Sequence, residues 1–418
     1  MKRVLVAAAL ALAFAGSSLA PVEAKPKARY VEMFDRLTQA VERNFYDPHF
    51  NGQDWNALKA RYRRRLNDVR TDEAFYRLGT DLLGELRRSH LDLRMPEEVR
   101  AGTASVAIKL RRIGADWVVT EVDPLSDARR QGIRPGAVLL SSPDDLRGTT
   151  GSLTSVRTRT CSDEERLYSV RREKAFWPPE KPDFRWSRIS TAPDRSIGYI
   201  KALRFDDGSA ELADQAMEEL KDTDGLIIDI RENSGGNTSA LRLASYFTEG
   251  AGPSIILLTR PYLDRIGRPV TARDTLAAPR IDRAYTTEAV LRALTVNNGG
   301  AAFWTDDVGA KRYTKPVVVL INENTASAAE GFAWHMRLKT HAVIMGRRSA
   351  GALLGGERFD IGYGWSVTVP TQGIWAPDGQ SYADRPVAPQ VVVPQSRADL
   401  CAGRDQDIEE AIDRLAPR

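Results

Sequence analysis

Apolar residues fall into three successive textures along the chain. Between residues 28 and 98 they recur every three or four positions. Met33, Leu37 and Val41 mark one stripe and Phe75, Leu78, Leu82, Leu83 and Leu86 another, which predicts amphipathic helices joined through Asp47-Pro48 and Asn51-Gly52. From 104 to 172 the elements shorten. Residues 106–110 and 117–122 read as strands, 126–131 as a short helix, and the turn from Gly132 to Gly136 leads into a strand at 137–140. From 190 to 395 strands alternate with helices: strands are predicted at 197–201, 226–229, 316–321, 342–345 and 365–369, and helices at 210–220, 238–247 and 328–338. Such alternation implies a sheet covered by helices. Residues 258–315 interrupt it with a long polar stretch holding one predicted helix, 287–294, a length that suits a lid over a cleft. Residues 396–418 read as a C-terminal tail with a helix.

With 418 residues, two or three units and a sizeable core are expected, and 42% hydrophobic with 28% charged residues is ordinary for a water-soluble globular chain. The first residues stand apart. Lys2 and Arg3 precede an apolar run from Val4 to Phe14, followed by small residues up to Ala24, so residues 1–24 read as a secretory signal peptide. Its removal takes away Lys2, Arg3 and Glu23 and moves the formal charge only from +4 to +3. The Arg-rich stretch Arg61, Arg63, Arg64, Arg65 is therefore a solvated helix face rather than a nucleic-acid footprint, and no later segment is long and apolar enough to be an integral membrane span. An exported, periplasmic protein is expected. The two cysteines, Cys161 and Cys401, could be bridged in an oxidising compartment or stay free; spacing does not decide it. Four histidines (His49, His90, His335, His341) and no metal-ligand spacing speak against a zinc enzyme, and neither a metal nor another cofactor is expected.

The chemistry concentrates where strand 316–321 runs through a polar turn into helix 328–338, with Ser327 at the junction. A serine there can be a plain helix cap. It can also be a nucleophile, because free backbone N–H groups and the helix dipole favour an oxyanion at that point. Three further motifs bear on the choice. Arg87-Arg88-Ser89-His90 ends the N-terminal helices and carries an imidazole able to accept a hydroxyl proton near neutral pH. Asp229-Ile230-Arg231-Glu232-Asn233-Ser234-Gly235-Gly236 follows a buried strand, its paired glycines allowing close backbone approach; it lacks the lysine and glycine spacing of a phosphate loop. Gly346-Arg347-Arg348-Ser349-Ala350-Gly351 follows the next strand.

In this order the motifs resemble those of the C-terminal processing (tail-specific) and tricorn core serine proteases, over residues 30 to 395. The resemblance implies an α/β (α+β) core of crotonase-like or ClpP-like type, with an N-terminal helical subdomain (28–98) and an inserted domain (104–172) that resembles a PDZ module, itself a binder of extended peptide ends. Tail-specific proteases place a lysine 25 positions after the serine. Here that position is Ala352, so the lysine route is closed and the resemblance points to the Ser-His branch. It implies Ser327 as nucleophile, His90 as base, Ser89 as its orienting neighbour, and backbone N–H groups of Gly235, Gly236 and Ala328 as the oxyanion site. The family's glutamate falls on Ala383, with Asp384 beside it as the remaining carboxylate. Glu330 reads as a dipole partner in the first turn rather than a catalyst. The implied activity is endopeptidase cleavage of unfolded or C-terminally exposed polypeptides. The alternatives are a catalytically silent peptide- or ligand-binding protein on the same scaffold, or an ester hydrolase.

Overall fold

The computed structural model describes residues 26–97, 102–177, 181 and 183–416; the expected signal peptide, 1–24, lies outside the described residues. Six strands form a central sheet in the order Val391–Val392, Val343–Gly346, Val317–Ile321, Gly225–Asp229, Arg195–Ala202, Phe184–Ala192. Neighbours run parallel except for the final hairpin pair. Gly225–Asp229 and Val317–Ile321 are buried at every residue, which is why their sequences are continuous apolar runs rather than alternating ones. Helices Ser209–Leu220, Ala240–Ser245 and Ala328–Lys339 cover one face, sharing a core that includes Ala213, Met217, Leu243, Ala244 and Phe332. Helix Gln406–Leu415 covers the other: Ala411 and Leu415 pack against Ile227, Val318 and Leu320. The C-terminal segment is thus a layer of the core rather than a tail.

Trp365–Trp375, expected beside these strands, instead anchors a second sheet with Asp92–Arg94, Pro253–Thr259, Gly300–Trp304, Arg280–Ile281 and Gly355–Gly362. An apolar pattern identifies a strand and its buried face but not its partner. The N-terminal helices Pro26–Asn44, Trp55–Arg65 and Asp72–Gly84 close on this sheet, Met33, Leu37 and Phe75 sharing one core with Leu258, Trp365 and Val367. Residues 258–315 turn out to be largely built into it as well, through strands and the helices Arg260–Ile266, Ala272–Leu276 and Thr287–Val296.

The insert forms a separate five-stranded antiparallel sheet, Ile108–Ile113, Asp116–Val122, Val138–Leu139, Leu153–Arg159 and Glu165–Arg171, around its own core of Val119, Val156 and Val170. Its helix Asp127–Gln131 starts at Ser126, whose hydroxyl accepts the Arg129 N–H, and ends at Gly132 with φ 108°. The insert is fastened to the core at a distance from its chain connections. Cys161 and Cys401 are bridged, with Cα atoms 5.7 Å apart, and Arg397 donates to Gly136 O and Asp163 Oδ1 at 3.1 and 2.9 Å. Arg111 of the insert also pairs with Glu323 Oε1 at 3.1 Å, on the turn that leads to Ser327. Among the described residues no helix is long and apolar enough to cross a membrane.

Candidate active site

Strand Val317–Ile321 ends in a turn held by hydrogen bonds to its own residues and to the neighbouring loop. Asn322 N–H donates to Thr325 Oγ1 (3.0 Å), Thr325 Oγ1 donates to Ile230 O (3.0 Å), and Ala326 N–H donates to Asn233 O (2.9 Å). These bonds tie the serine turn to the glycine loop that follows the neighbouring strand. Ser327 then takes φ 53° and ψ −124°, a strained conformation for a residue with a side chain, and helix Ala328–Lys339 begins. Strain of this kind persists only where surroundings impose it. Glu330, with no exposed surface, does so: its Oε2 accepts the N–H groups of Ser327 (3.2 Å) and Ala352 (2.6 Å), and its Oε1 accepts Ser349 Oγ–H and Gly351 N–H (2.5 and 2.7 Å). Burial raises the Glu330 carboxyl above its ordinary value, against hydrogen bonds that favour the charged form.

Gly235, at φ 111°, lies under the serine: a Cβ there would stand 2.6 Å from Ser327 Cβ, so only glycine fits. Its N–H is already committed, donating to Asn233 Oδ1 at 2.8 Å. Gly236 and Ala328 instead line a cavity of about 310 Å³ together with Ser327 and His90. The remaining wall is mainly apolar, with Leu241, Ile255, Leu257, Val290, Phe332, Leu353 and Ile374, and helix Thr287–Val296 supplies part of it.

His90 (φ 60°) follows the helix Asp72–Gly84 by a short turn and packs against Gly356, where a Cβ would sit 3.2 Å from His90 Cβ and Cδ2. Its Nδ1 lies 3.4 Å from Ser89 Oγ. Asp384 (φ 52°) holds the turn from behind: Oδ1 accepts Ser89 N–H at 3.2 Å and Oδ2 pairs with Arg88 at 2.5 Å. Burial lowers the His90 pKa from its ordinary 6.5, with the Asp384 charge pulling the other way. A neutral imidazole near neutral pH is what a general base requires. No hydrogen bond joins Ser327 to His90 among the described residues, although both face the same cavity.

The fold therefore brings Ser327, His90, Gly236 and Ala328 to one cavity, places Ser89 and Asp384 beside His90, and sets Gly235 beneath the serine with its N–H turned to Asn233. Ala352, where a lysine would reach the serine, shares Glu330 Oε2 with it and offers no base. The other histidines lie elsewhere. His335 is buried between Thr248 Oγ1 and Ser254 Oγ, its pKa lowered to about 4 by burial, which marks it as structural. The sequence reading missed how much Glu330 does. Its spacing from Ser327 is that of a capping box, which signals the bond to Ser327 N–H but not the three to residues 349–352. Among the described residues no cluster of His, Cys, Asp and Glu is arranged to hold a metal ion.

Comparison with known proteins places the chain. Residues 196–393 match the model of peptidase family S41, and residues 26–84 that of the tricorn protease C1 domain. The chain is 25% identical to a putative tricorn protease homolog of Streptomyces coelicolor over 94% of its own length, spanning 33% of that longer protein. It is 24% identical to a carboxyl-terminal-processing protease of Synechocystis sp., over 90% of this chain and 84% of that one. Among solved structures the fold is similar to that of the photosystem II D1 C-terminal processing protease (TM-score 0.53, 20% identity, 90% and 98% of the two chains). It is also similar to that of mature CPAF (TM-score 0.65, 15% identity, 93% and 97%). The chain carries a peptidase family S41 domain and a tricorn protease C1 domain and is similar to carboxyl-terminal-processing and tricorn proteases, which makes it a serine-type peptidase.

Proposed function

We propose that the protein is an exported, periplasmic serine endopeptidase that cleaves unfolded or C-terminally exposed polypeptides. The observation that carries this reading is the strained Ser327 facing the same cavity as a half-buried imidazole and the N–H-bearing residues Gly236 and Ala328. Ser327 Oγ attacks the scissile carbonyl while its proton passes to His90 Nε2, the nitrogen left over when Nδ1 faces Ser89. The carbonyl oxygen becomes an oxyanion held by the N–H groups of Gly236 and Ala328; with the Gly235 N–H bound to Asn233, Gly235 serves by making room. The C–N bond then breaks as His90 returns the proton to the leaving amine. Water repeats the sequence on the acyl-enzyme, releasing the new carboxyl end and restoring Ser327. Asp384 contributes by holding Ser89 and Arg88, and so the orientation of His90, rather than by touching the ring.

A polypeptide substrate is supported by strand Gly355–Gly362. It pairs on one side with Trp365–Trp375, has no second partner strand among the described residues, and opens on the cavity through Gly355, Gly356 and Glu357. An extended chain can add to such an edge while its apolar side chains enter the cavity. The core is read as crotonase-like or ClpP-like and the insert as PDZ-like. Export rests on residues 1–24 and is supported by the Cys161–Cys401 bridge, a feature of oxidising compartments.

The test compares casein cleavage and fluorophosphonate labelling for the protein lacking residues 1–24 with its Ser327→Ala and His90→Ala variants. Cleavage and labelling should both disappear in Ser327→Ala, and cleavage should fall at least ~1,000-fold in His90→Ala. Equal activity in all three sinks the reading.

A further inference from the structure

Asn233 occupies the middle of the glycine loop with no exposed surface, and each of its polar groups has a defined task. Nδ2 donates to Ala202 O at 3.0 Å, at the end of strand Arg195–Ala202. Oδ1 accepts the Gly235 N–H at 2.8 Å, and the main-chain O accepts the Ala326 N–H at 2.9 Å, one residue before Ser327. The side chain therefore spans from the rigid sheet to the Ser234–Gly235 peptide unit, one unit before the one that carries the Gly236 N–H, and its backbone reaches the serine turn. The opposite side of the same loop is fixed by Phe205: its N–H donates to Gly235 O (3.0 Å) and its O accepts the Asn237 N–H (2.6 Å). Gly236 is thereby held from both sides and lines the cavity with Ala328, and among the described residues no hydrogen bond occupies its N–H.

We propose that Asn233 is a positioning residue for the oxyanion site: by taking the Gly235 N–H and anchoring it to Ala202, it turns the Gly236 N–H toward the reacting carbonyl. This rests on the peptidase reading above and adds to it. Both polar ends of the carboxamide are needed. An acceptor alone would leave Gly235 free to swing with its partner, and a donor alone would not hold Gly235 at all. An oxyanion donor displaced by about an ångström loses most of its effect, because its value lies in being fixed before the charge develops.

The experiment uses a peptide substrate, a peptide aldehyde that forms a hemiacetal with Ser327 and so carries an oxyanion, and the matching peptide alcohol, which does not. In Asn233→Ala, kcat should fall about 100-fold with KM within about threefold, and aldehyde affinity should fall by a similar factor while alcohol affinity stays. Asn233→Asp keeps the size and the acceptor but not the donor. It should lose about tenfold in kcat and in the aldehyde-to-alcohol ratio. A merely structural role would weaken aldehyde and alcohol alike and lower the melting temperature in step. Equal weakening, or a folded Asn233→Ala with kcat within about threefold of the parent, overturns the proposal. Should Asn233→Ala fail to fold, an unchanged aldehyde-to-alcohol ratio in Asn233→Asp overturns it. A parent protein that neither cleaves the peptide nor is labelled at Ser327 instead overturns the peptidase reading on which it rests.

Discussion

The two halves of the candidate site are built from different materials. The serine turn is held by a carboxylate with no solvent exposure, Glu330, whose four hydrogen-bond donors include three backbone N–H groups. The histidine turn is held by Asp384, about a third of whose side chain is exposed, through one N–H and one ion pair with Arg88. Buried hydrogen bonds to a charge are strong and leave unsatisfied donors when broken, whereas a partly exposed ion pair is screened and contributes little net stability. On the proposed mechanism the serine turn is thus the fixed part of the site and the histidine turn the adjustable one. Ser327 and His90 line one cavity without being bonded, and a movement that joined them would fall to the side that is cheaper to move.

The largest expected effect comes from breaking the rigid side. Glu330→Ala strands four donors and should destabilise the protein by about 3 kcal/mol or more. Activity should fall at least about 100-fold as Ser327 relaxes. Calorimetry and peptide turnover read the two losses, and Glu330→Gln, which keeps one acceptor oxygen, should lose less of each. If Glu330→Ala costs no more than a substitution at Asp384, the contrast between the two turns is wrong. Asp384→Asn, next in size, should reduce kcat by about tenfold while moving stability by less than about 1 kcal/mol.

The pH profile sharpens the same contrast. With His90 as the proposed base, kcat/KM should rise with pH through the folded-state pKa, which burial sets below 6.5. Asp384 is the charge that opposes this lowering. Removing it in Asp384→Asn should move the acid limb to still lower pH; an upward move would mean that Asp384 does not act on His90 through its charge. The smallest effect on turnover belongs to Cys401→Ser, which opens the fastening between insert and core. Hydrogen exchange in residues 103–171 should quicken while casein cleavage stays within about threefold, since neither turn depends on that bridge. A loss as large as that of Asp384→Asn would show that the insert supports the site as well.

Local features were legible without the fold. The run Val317–Ile321 followed by a helix start located Ser327, the paired glycines located the loop beside it, and Ala352 closed the lysine route. These signals depend on neighbours within a turn or a strand, where propensity and steric fit act directly on the sequence. His90 was found as a residue type suited to the task, its position in the cavity being a matter of how the N-terminal helices dock on the second sheet.

What sequence alone determined here was therefore the position of Ser327 between strand and helix, the glycine loop and the succession of strands and helices. Tertiary structure decided which of two sheets Trp365–Trp375 would join, that Cys161 meets Cys401, that the last helix is part of the core, that the Asn233 amide reaches Ala202, and that Glu330 binds residues 349–352. The physical reason is common to all of these. A hydrogen bond or a strand pairing is specified by where two groups end up in space, and residue spacing along the chain carries that information only when both partners lie within the same turn.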